Sequence, residues 1–465
     1  MPTKQSSGSQ WFVSGLAILA FGMSESPSGA VASPLLSSLP AVVALPSDAA
    51  TVEATTRFLE NRVKQDPEDF IAYNKLATIY LQRLRETGDL TYVTLASRAA
   101  EASLAILPPV QNKDGLTALA QVKYSSHEFA VARDHAKYLT TLEPHKSYPF
   151  LLLGDALLEL GDYDQAKLAF QKMEQFGAIQ GLTKAAIEQR MARLAIVHGD
   201  NKRAQQHFVN ALTSVLKIPV PPRETVAWCY WQLGETAFAR GDYAAADQHY
   251  RDALVTYPEY YRALAGVAKV RAAQGMQQEA IAFYQKAIAV IPLPEYVAAL
   301  GDMYTATNRP EEAQKQYDLV EYMGSLSALN QMLYNRELAL FYADHERNLP
   351  KALALAEKEL EVRRDIYTYD VLAWTLYKND KPQEALVAMT QALRLGTQDA
   401  RLFFHAGMIC HRLSKPSEAQ AYLRRALRLN PHFHPLQAGI AKLTLEALHK
   451  NSTLSTLQEK SHDHS

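Results

Sequence analysis

Histidine and cysteine are the first residues to test for chemistry in this chain, which holds fourteen of one and two of the other. His405 and His411 lie six apart on one helix-like stretch, so they point to different faces. His432 and His434 flank Phe433, and His462 and His464 stand near the end of the chain. A metal could recruit one such pair, but solvated or helix-capping histidines are the plainer account. Cys229 and Cys410 sit inside helical patterns with no metal-type Cys/His spacing. They read as small buried side chains. A disulfide between them is rejected on the expectation that a repeat array keeps such distant units apart. There is no Gly-x-x-x-x-Gly-Lys loop, no His-Glu-x-x-His and no Gly-x-Ser-x-Gly elbow. The reading is therefore no enzyme, no cofactor and no metal. Asn451-Ser452-Thr453 fits a glycosylation acceptor, which matters only in a eukaryotic secretory setting.

What must position the remaining side chains is a repeat. Residues 227–293 contain two copies offset by 34. Gly241 falls on Gly275, Ala246 on Ala280, Tyr250 on Tyr284, Ala253 on Ala287 and Pro258 on Pro292. A fixed period of this length dictates the architecture. Position eight of each unit is small: Ala120, Gly154, Ala192, Gly234, Ala268, Gly301, Ala373 and Gly407. Position twenty is alanine, from Ala132 to Ala419. Two helices of one hairpin cross at these positions, and a larger side chain there would cost about 1–3 kcal/mol in overpacking. Position twenty-four is large (Phe170, Phe208, Tyr250, Tyr284, Tyr317) and is expected to wedge against the next unit. Turns use either Gly-Asp, as at Gly161, Gly199 and Gly241, or a proline opening the second helix, as at Pro310, Pro350, Pro382 and Pro416.

The pattern resembles the tetratricopeptide repeat family, a helix-turn-helix unit stacked into a superhelix. The expected fold is all-α: a right-handed α-solenoid of about ten hairpins with a C-terminal capping helix. The units read as 67–109, 113–146, 147–180, 185–218, 227–260, 261–293, 294–327, 333–365, 366–399 and 400–433. The N-terminal block is 67–218 and the C-terminal block 227–433, separated by a Pro-rich insertion at 219–226 that reads as a bend or spacer. Gly324-Ser325-Leu326-Ser327 is expected to loosen the array again. Residues 434–450 read as the capping helix sealing the last hairpin, and 451–465 as a disordered tail.

Residues 1–32 combine Lys4, an apolar run from Trp11 to Met23 and the small-x-small Ala30-Val31-Ala32. Together they resemble a signal peptide, so the chain is expected to be exported, periplasmic or secreted, with an uncleaved anchor or a cytoplasmic chain as alternatives. The run is too short to span a bilayer, which needs about 20 residues. No stable membrane insertion is expected after cleavage. Residues 33–66 read as a Pro/Ser-rich linker leading into the first helix. Lys+Arg (48) and Asp+Glu (49) are interspersed, which gives no field to steer nucleic acid.

By helical periodicity, positions two, five, nine and twelve of each first helix cluster away from the core set. In the resembled family they line a concave groove for peptides or protein segments. Unit three supplies Tyr148, Leu151, Asp155 and Leu158. Unit five supplies Trp228, Trp231, Glu235 and Phe238, and unit six Arg262, Ala265, Lys269 and Ala272. Unit nine supplies Tyr367, Asp370, Trp374 and Tyr377, and unit ten Arg401, Phe404, Met408 and His411. Trp, Tyr and Arg are favoured anchors, so the candidate groove is Trp228, Trp231, Glu235, Phe238, Arg262, Lys269, Tyr367, Trp374, Tyr377, Arg401 and Phe404. The family's carboxylate clamp needs Lys and Asn at positions five and nine. Trp231 and Glu235, Ala265 and Lys269, and Ala298 and Asp302 stand there instead, so a chaperone adaptor of that kind is not implied. The function implied is a non-catalytic scaffold for a protein or peptide. An obligate subunit of an envelope or secretion assembly and a glycan-binding solenoid are the alternatives. A glycan binder would need stacked rings along one continuous face.

Overall fold

The computed structural model describes Val42, Leu45 and residues 49–177, 181–329 and 335–462. The signal-like stretch lies outside the described residues. Helix α1 (Ala49–Gln65) leads into ten hairpins. The first four are α2 (Phe70–Thr87) with α3 (Thr91–Ile106), α4 (Lys113–Ser125) with α5 (Phe129–Leu142), α6 (Ser147–Glu159) with α7 (Tyr163–Phe176), and α8 (Gly181–Val197) with α9 (Asn201–Leu216). The middle three are α10 (Arg223–Ala239) with α11 (Tyr243–Thr256), α12 (Tyr261–Ala273) with α13 (Gln277–Val290), and α14 (Pro294–Ala306) with α15 (Pro310–Leu329). The last three are α16 (Asn335–Asp344) with α17 (Leu349–Val362), α18 (Ile366–Lys378) with α19 (Pro382–Ala392), and α20 (Ala400–Arg412) with α21 (Pro416–Leu429). Helix α22 (Gln437–His462) ends the array. No strand occurs among the described residues, and the fold is an α-solenoid.

The hairpin rule works through the large residue at position twenty-four. A Cβ placed on Gly234 would come 2.5 Å from the Tyr250 ring, and a Cβ on Gly266 of the next unit equally 2.5 Å from it. Tyr250 is therefore clasped by its own hairpin and by its neighbour, whereas the sequence suggested only the latter. A methyl group at either glycine would have to push a packed ring aside.

Four segments differ from expectation. Helix α1 replaces much of the linker, with Leu59 buried and Glu60 accepting a hydrogen bond from Tyr80 Oη at 2.8 Å. Helix α10 begins at Arg223, inside the stretch taken as a spacer, and Val42 and Leu45, like Leu216, Ile218 and Tyr257, pack against the apolar cluster that holds Phe208, Trp228 and Tyr260. Helix α15 runs straight through Gly324–Ser327, where Gly324 sits close against Leu338. Helix α22 continues through residues 451–462.

The largest correction concerns reach. Units five or six apart in sequence touch. The Tyr163 hydroxyl accepts from Ile366 N at 2.9 Å, and Arg364 N donates to Glu159 O at 3.3 Å. The Thr397 hydroxyl donates to Val197 O. Asn430 donates to Phe238 O at 2.8 Å and accepts from the Tyr243 hydroxyl at 2.6 Å. The superhelix thus stacks one turn directly on the next along a seam. Distant repeats do approach each other, although Cys229 and Cys410 both remain free and buried.

The seam also bears on two of the glycine turns. Gly161 (φ 75°) and Gly199 (φ 73°) supply the left-handed step, and a Cβ there would lie 2.1 Å from Arg364 O and 2.5 Å from Gly396 O. Asp162 then caps the following helix by accepting from Gln165 N. In the later turns Asn308 (φ 57°), Asp380 (φ 58°) and Ser414 (φ 56°) make the same step with a side chain. That conformation costs a side-chain-bearing residue about 1–2 kcal/mol. Glycine stands where the next superhelical turn presses on the loop. The side-chain-bearing turns at Asn308, Asp380 and Ser414 belong to later units, whereas His127 (φ 59°) makes the same step in the second hairpin, 3.4 Å from Arg363 of a later unit.

Candidate functional site

Position nine of the first helices forms a column of charge along the inside of the superhelix. It runs Asp155, Arg193, Glu235, Lys269 and Asp302. In the first superhelical turn these groups fill the lumen. Arg190 grips Asp155 at 2.7 Å, Arg193 reaches Asp155 at 3.9 Å and Glu159 at 2.8 Å, and Tyr124 Oη donates to Glu159 at 3.2 Å. Burial pushes the Glu159 carboxyl up, but Arg363 and Arg193 outweigh it and hold the group below the usual carboxylate range.

In the second turn the same column opens into a cavity of about 470 Å³, the size of a small ligand site. The reason is small side chains. Ala265 and Ala272 of unit six and Ala298 of unit seven stand where unit three has Leu151 and Leu158, and Ala299 and Ala306 line the wall beside them. Helices α10, α12, α14, α16, α18 and α20 all contribute, and the loop after α21 with the first turn of α22 crosses one side.

Seven of the eleven candidate residues line this cavity: Trp231, Glu235, Phe238, Arg262, Lys269, Tyr367 and Arg401. Lys269 Nζ lies 2.7 Å from Glu235, which also accepts from Tyr250 Oη at 2.7 Å. The aromatic faces are covered by cations, with Arg262 5.1 Å from the Trp231 ring centroid and Lys269 5.4 Å from that of Phe238. One terminal nitrogen of Arg262 has no hydrogen-bond partner among the described residues.

The other four are packing residues. Trp228 is buried against Phe208 and Trp231. Phe404 is 1% exposed, within the core cluster that holds Leu423 and Leu429. Trp374 is 3% exposed, stacks on His405 (4.1 Å between centroids) and Tyr377 (4.9 Å), and donates to Asp344 at 2.7 Å. Their surroundings correct the expectation that they present rings to a ligand. First helices of adjacent units pack so closely that a ring pointing sideways is swallowed by its neighbour.

Residues missed at first complete the site. Glu295 and Glu337 share the wall with Arg262 and Arg336. Burial, together with the charge of Glu337, pushes the Glu295 carboxyl up to about 7 against the pull of Arg262, Lys269 and Arg336. Asp302 is the most heavily engaged group. It accepts from Tyr317 Oη at 2.9 Å and from His345 Nε2 at 2.7 Å, and His434 Nε2 lies 3.4 Å away. Burial pushes its carboxyl up, but the two histidines prevail and hold it well below the ordinary range. His345 Nδ1 also faces an acceptor, Phe341 O at 2.8 Å, so both its ring nitrogens carry protons. His434 differs, because its Nδ1 accepts from Leu436 N and Gln437 N at 3.2 and 3.4 Å, which leaves the proton on Nε2. Asp302 was legible as a position-nine residue. His434 stood out in the sequence only as half of a possible metal pair, and His345 carried no sequence signal. Among the described residues no group of three or more His, Cys, Asp and Glu is placed to hold a metal, and no helix is long and apolar enough to cross a membrane.

Family patterns described as "Tetratricopeptide repeat" match residues 232–296 and 371–437, and a second such pattern matches 149–173. The chain is similar to protein O-mannosyl-transferase TMTC1 of Homo sapiens, at 28% identity over 225 residues. That match covers 46% of this chain and 24% of that protein, so the chain spans about a quarter of its relative. Among solved structures it is similar to the APC/C hetero-tetramer Cut9–Hcn1 (14% identity, 86% of this chain and 93% of that one, TM-score 0.32). It is also similar to yeast Tom70 (12% identity, 83% and 99%, TM-score 0.32). A tetratricopeptide repeat protein from Parabacteroides merdae matches at 15% identity over 57% of this chain and 99% of that one, with TM-score 0.33. The repeat matches coincide with hairpins built on the small-residue crossings described above, and these stretches of the chain are tetratricopeptide repeats.

Proposed function

We propose that this protein is an exported, non-catalytic scaffold that binds a segment of a partner protein in the lumen of its second superhelical turn. The observation that carries this is the contrast at equivalent positions. Alanines open a cavity of about 470 Å³ between α10 and α20, and charged side chains fill the first turn. The ionisable groups of the wall are engaged with one another, as Glu235 is with Lys269 and Asp302 with His345, in the manner of a recognition surface. Export rests on the pattern of residues 1–32 alone.

A glycan would need open ring faces for stacking. Here Arg262 and Lys269 already lie over Trp231 and Phe238, which favours a polypeptide carrying charges of its own. An obligate assembly subunit would use the same groove with a permanent partner.

The test is affinity capture of partners by the wild type and by Ala298→Trp, which fills the cavity from a partly exposed wall position. Specific partners are expected to disappear from the variant while its thermal unfolding stays unchanged. An unchanged captured set would place binding elsewhere.

A further inference from the structure

Residues 430–442 do not simply cover the end of the last hairpin. The loop after α21 and the first turn of α22 line the cavity and are tied to its walls by side chains. Asn430 bonds Phe238 O at 2.8 Å, His434 lies 3.4 Å from Asp302, and Gln437 donates to Asp344 at 2.7 Å. Phe433 sets its ring 5.6 Å from Phe404. Phe238 and Asp302 are at positions twelve and nine of their units, within the set that faces the groove. The chain's own C-terminal strap therefore sits where a bound segment would.

We propose that this strap is a built-in occupant of the groove, and that the partner is a polypeptide segment of the same chemistry, presenting an aromatic side chain and two hydrogen-bond donors three residues apart to Asp302 and Asp344. The inference rests on the groove being the binding site. Three observations point to a displaceable strap. Over the described side chains of its first half, helix α22 buries a narrow face through Ala438, Ala441 and Leu448, while Ile440 (45%) and Leu443 (68%) stay exposed. The side-chain amide oxygen of Gln437, Oε1, is buried with no hydrogen-bond partner among the described residues, a cost that the docked strap carries and release relieves. The donors gripping Asp302 and Asp344 come from side chains, so an incoming segment can replace them one for one. A partner that offers a permanent cation, Lys or Arg, in place of the His434 imidazole makes a strong, charge-assisted bond to Asp302.

The experiment uses the full chain and a fluorescent synthetic peptide of sequence 430–442. His434→Ala with Gln437→Ala removes both side-chain ties and leaves Ala441 and Leu448 packed on α21. Asp302→Asn weakens the tie from the groove side and guards against a local folding defect in the strap. Hydrogen exchange of residues 430–442 is expected to accelerate at least tenfold in both variants, with the rest of the array unchanged. The peptide should bind the double variant at least tenfold more tightly than the wild type, and Asp302→Asn added to that variant should abolish the gain. Unchanged strap exchange in both variants overturns the proposal, as does a released strap that leaves peptide affinity no higher. Failure of the groove reading would show separately, as partner capture that survives Ala298→Trp.

Discussion

The two superhelical turns of this protein use one repeat for opposite ends. In the first turn, position nine holds Asp155 and Arg193, and Arg190 and Glu159 complete a network whose side chains are 3–11% exposed. In the second, position nine holds Glu235 and Lys269, with the lysine 33% exposed along the wall of a cavity. The neighbouring positions decide the outcome. Leu151 and Leu158 crowd one lumen, and Ala265 and Ala272 leave the other open. A charge ladder of similar composition becomes a sealed core in one place and a recognition surface in the other, according to the volume around it.

Breaking the ladder in each turn should therefore have unequal effects. Arg190→Ala leaves Asp155 buried without its closest cation and is expected to cost about 3–5 kcal/mol, read from denaturant unfolding. Phe404→Ala is expected to cost about 3 kcal/mol or more by opening a cavity in the packed wall of the second turn, where the sequence suggested a ligand contact and little loss. Lys269→Ala, the second-turn counterpart of the first change, should cost no more than about 1 kcal/mol, because that pair is partly solvated. If Arg190→Ala and Lys269→Ala prove equally harmful, the distinction between the turns fails.

A fourth prediction concerns pH. Burial pulls the His345 pKa down, but the hydrogen bond and charge of Asp302 outweigh it and leave the group raised. A raised folded-state pKa means a contribution fully present below the unfolded value of about 6.5 and lost as pH rises through the higher folded value. The groups facing this imidazole are Asp302, Asp344, Tyr317 and, over the Tyr317 ring, Arg347. The Asp302 corner should therefore loosen between mildly acidic and mildly alkaline pH. Exchange of residues 430–442, corrected for intrinsic rates, reads this directly. His345→Asn should flatten the dependence, and an unaltered profile in that variant would remove His345 from the account. The smallest effect is expected from Ala298→Phe, within about 0.5 kcal/mol in stability, since it adds a side chain to open space.

Much of the fold was legible because it is local. The small residues at positions eight and twenty, the proline stops and the Gly-Asp turns each act within one hairpin. Helical periodicity put Trp231, Glu235, Arg262 and Lys269 on one face, the resemblance to the repeat family made that face a groove, and all four line the cavity. The seam was not. It arises from small rotations accumulating over five or six units, and it brings Tyr163 to Ile366 and Tyr243 to Asn430 through contacts that no local pattern encodes. Its trace lies in the choice of glycine at 161 and 199, where the loop meets the backbone of the next turn. The strap escaped for the same reason. His434 and Gln437 read as the start of a capping helix, and their partners Asp302 and Asp344 lie several units earlier in the chain. Trp374 and Phe404 show the converse limit, because a helix-face assignment does not say which neighbour will cover the face.

The central claim is that a partner segment occupies the second turn and not the first. Hydrogen-exchange mass spectrometry on the complex with a captured partner tests it most directly. The account predicts new protection confined to the inner helices α12, α14 and α16, with the strap at 430–442 exchanging faster. Protection on α6 and α8, or on the outer second helices with the strap unmoved, would contradict it.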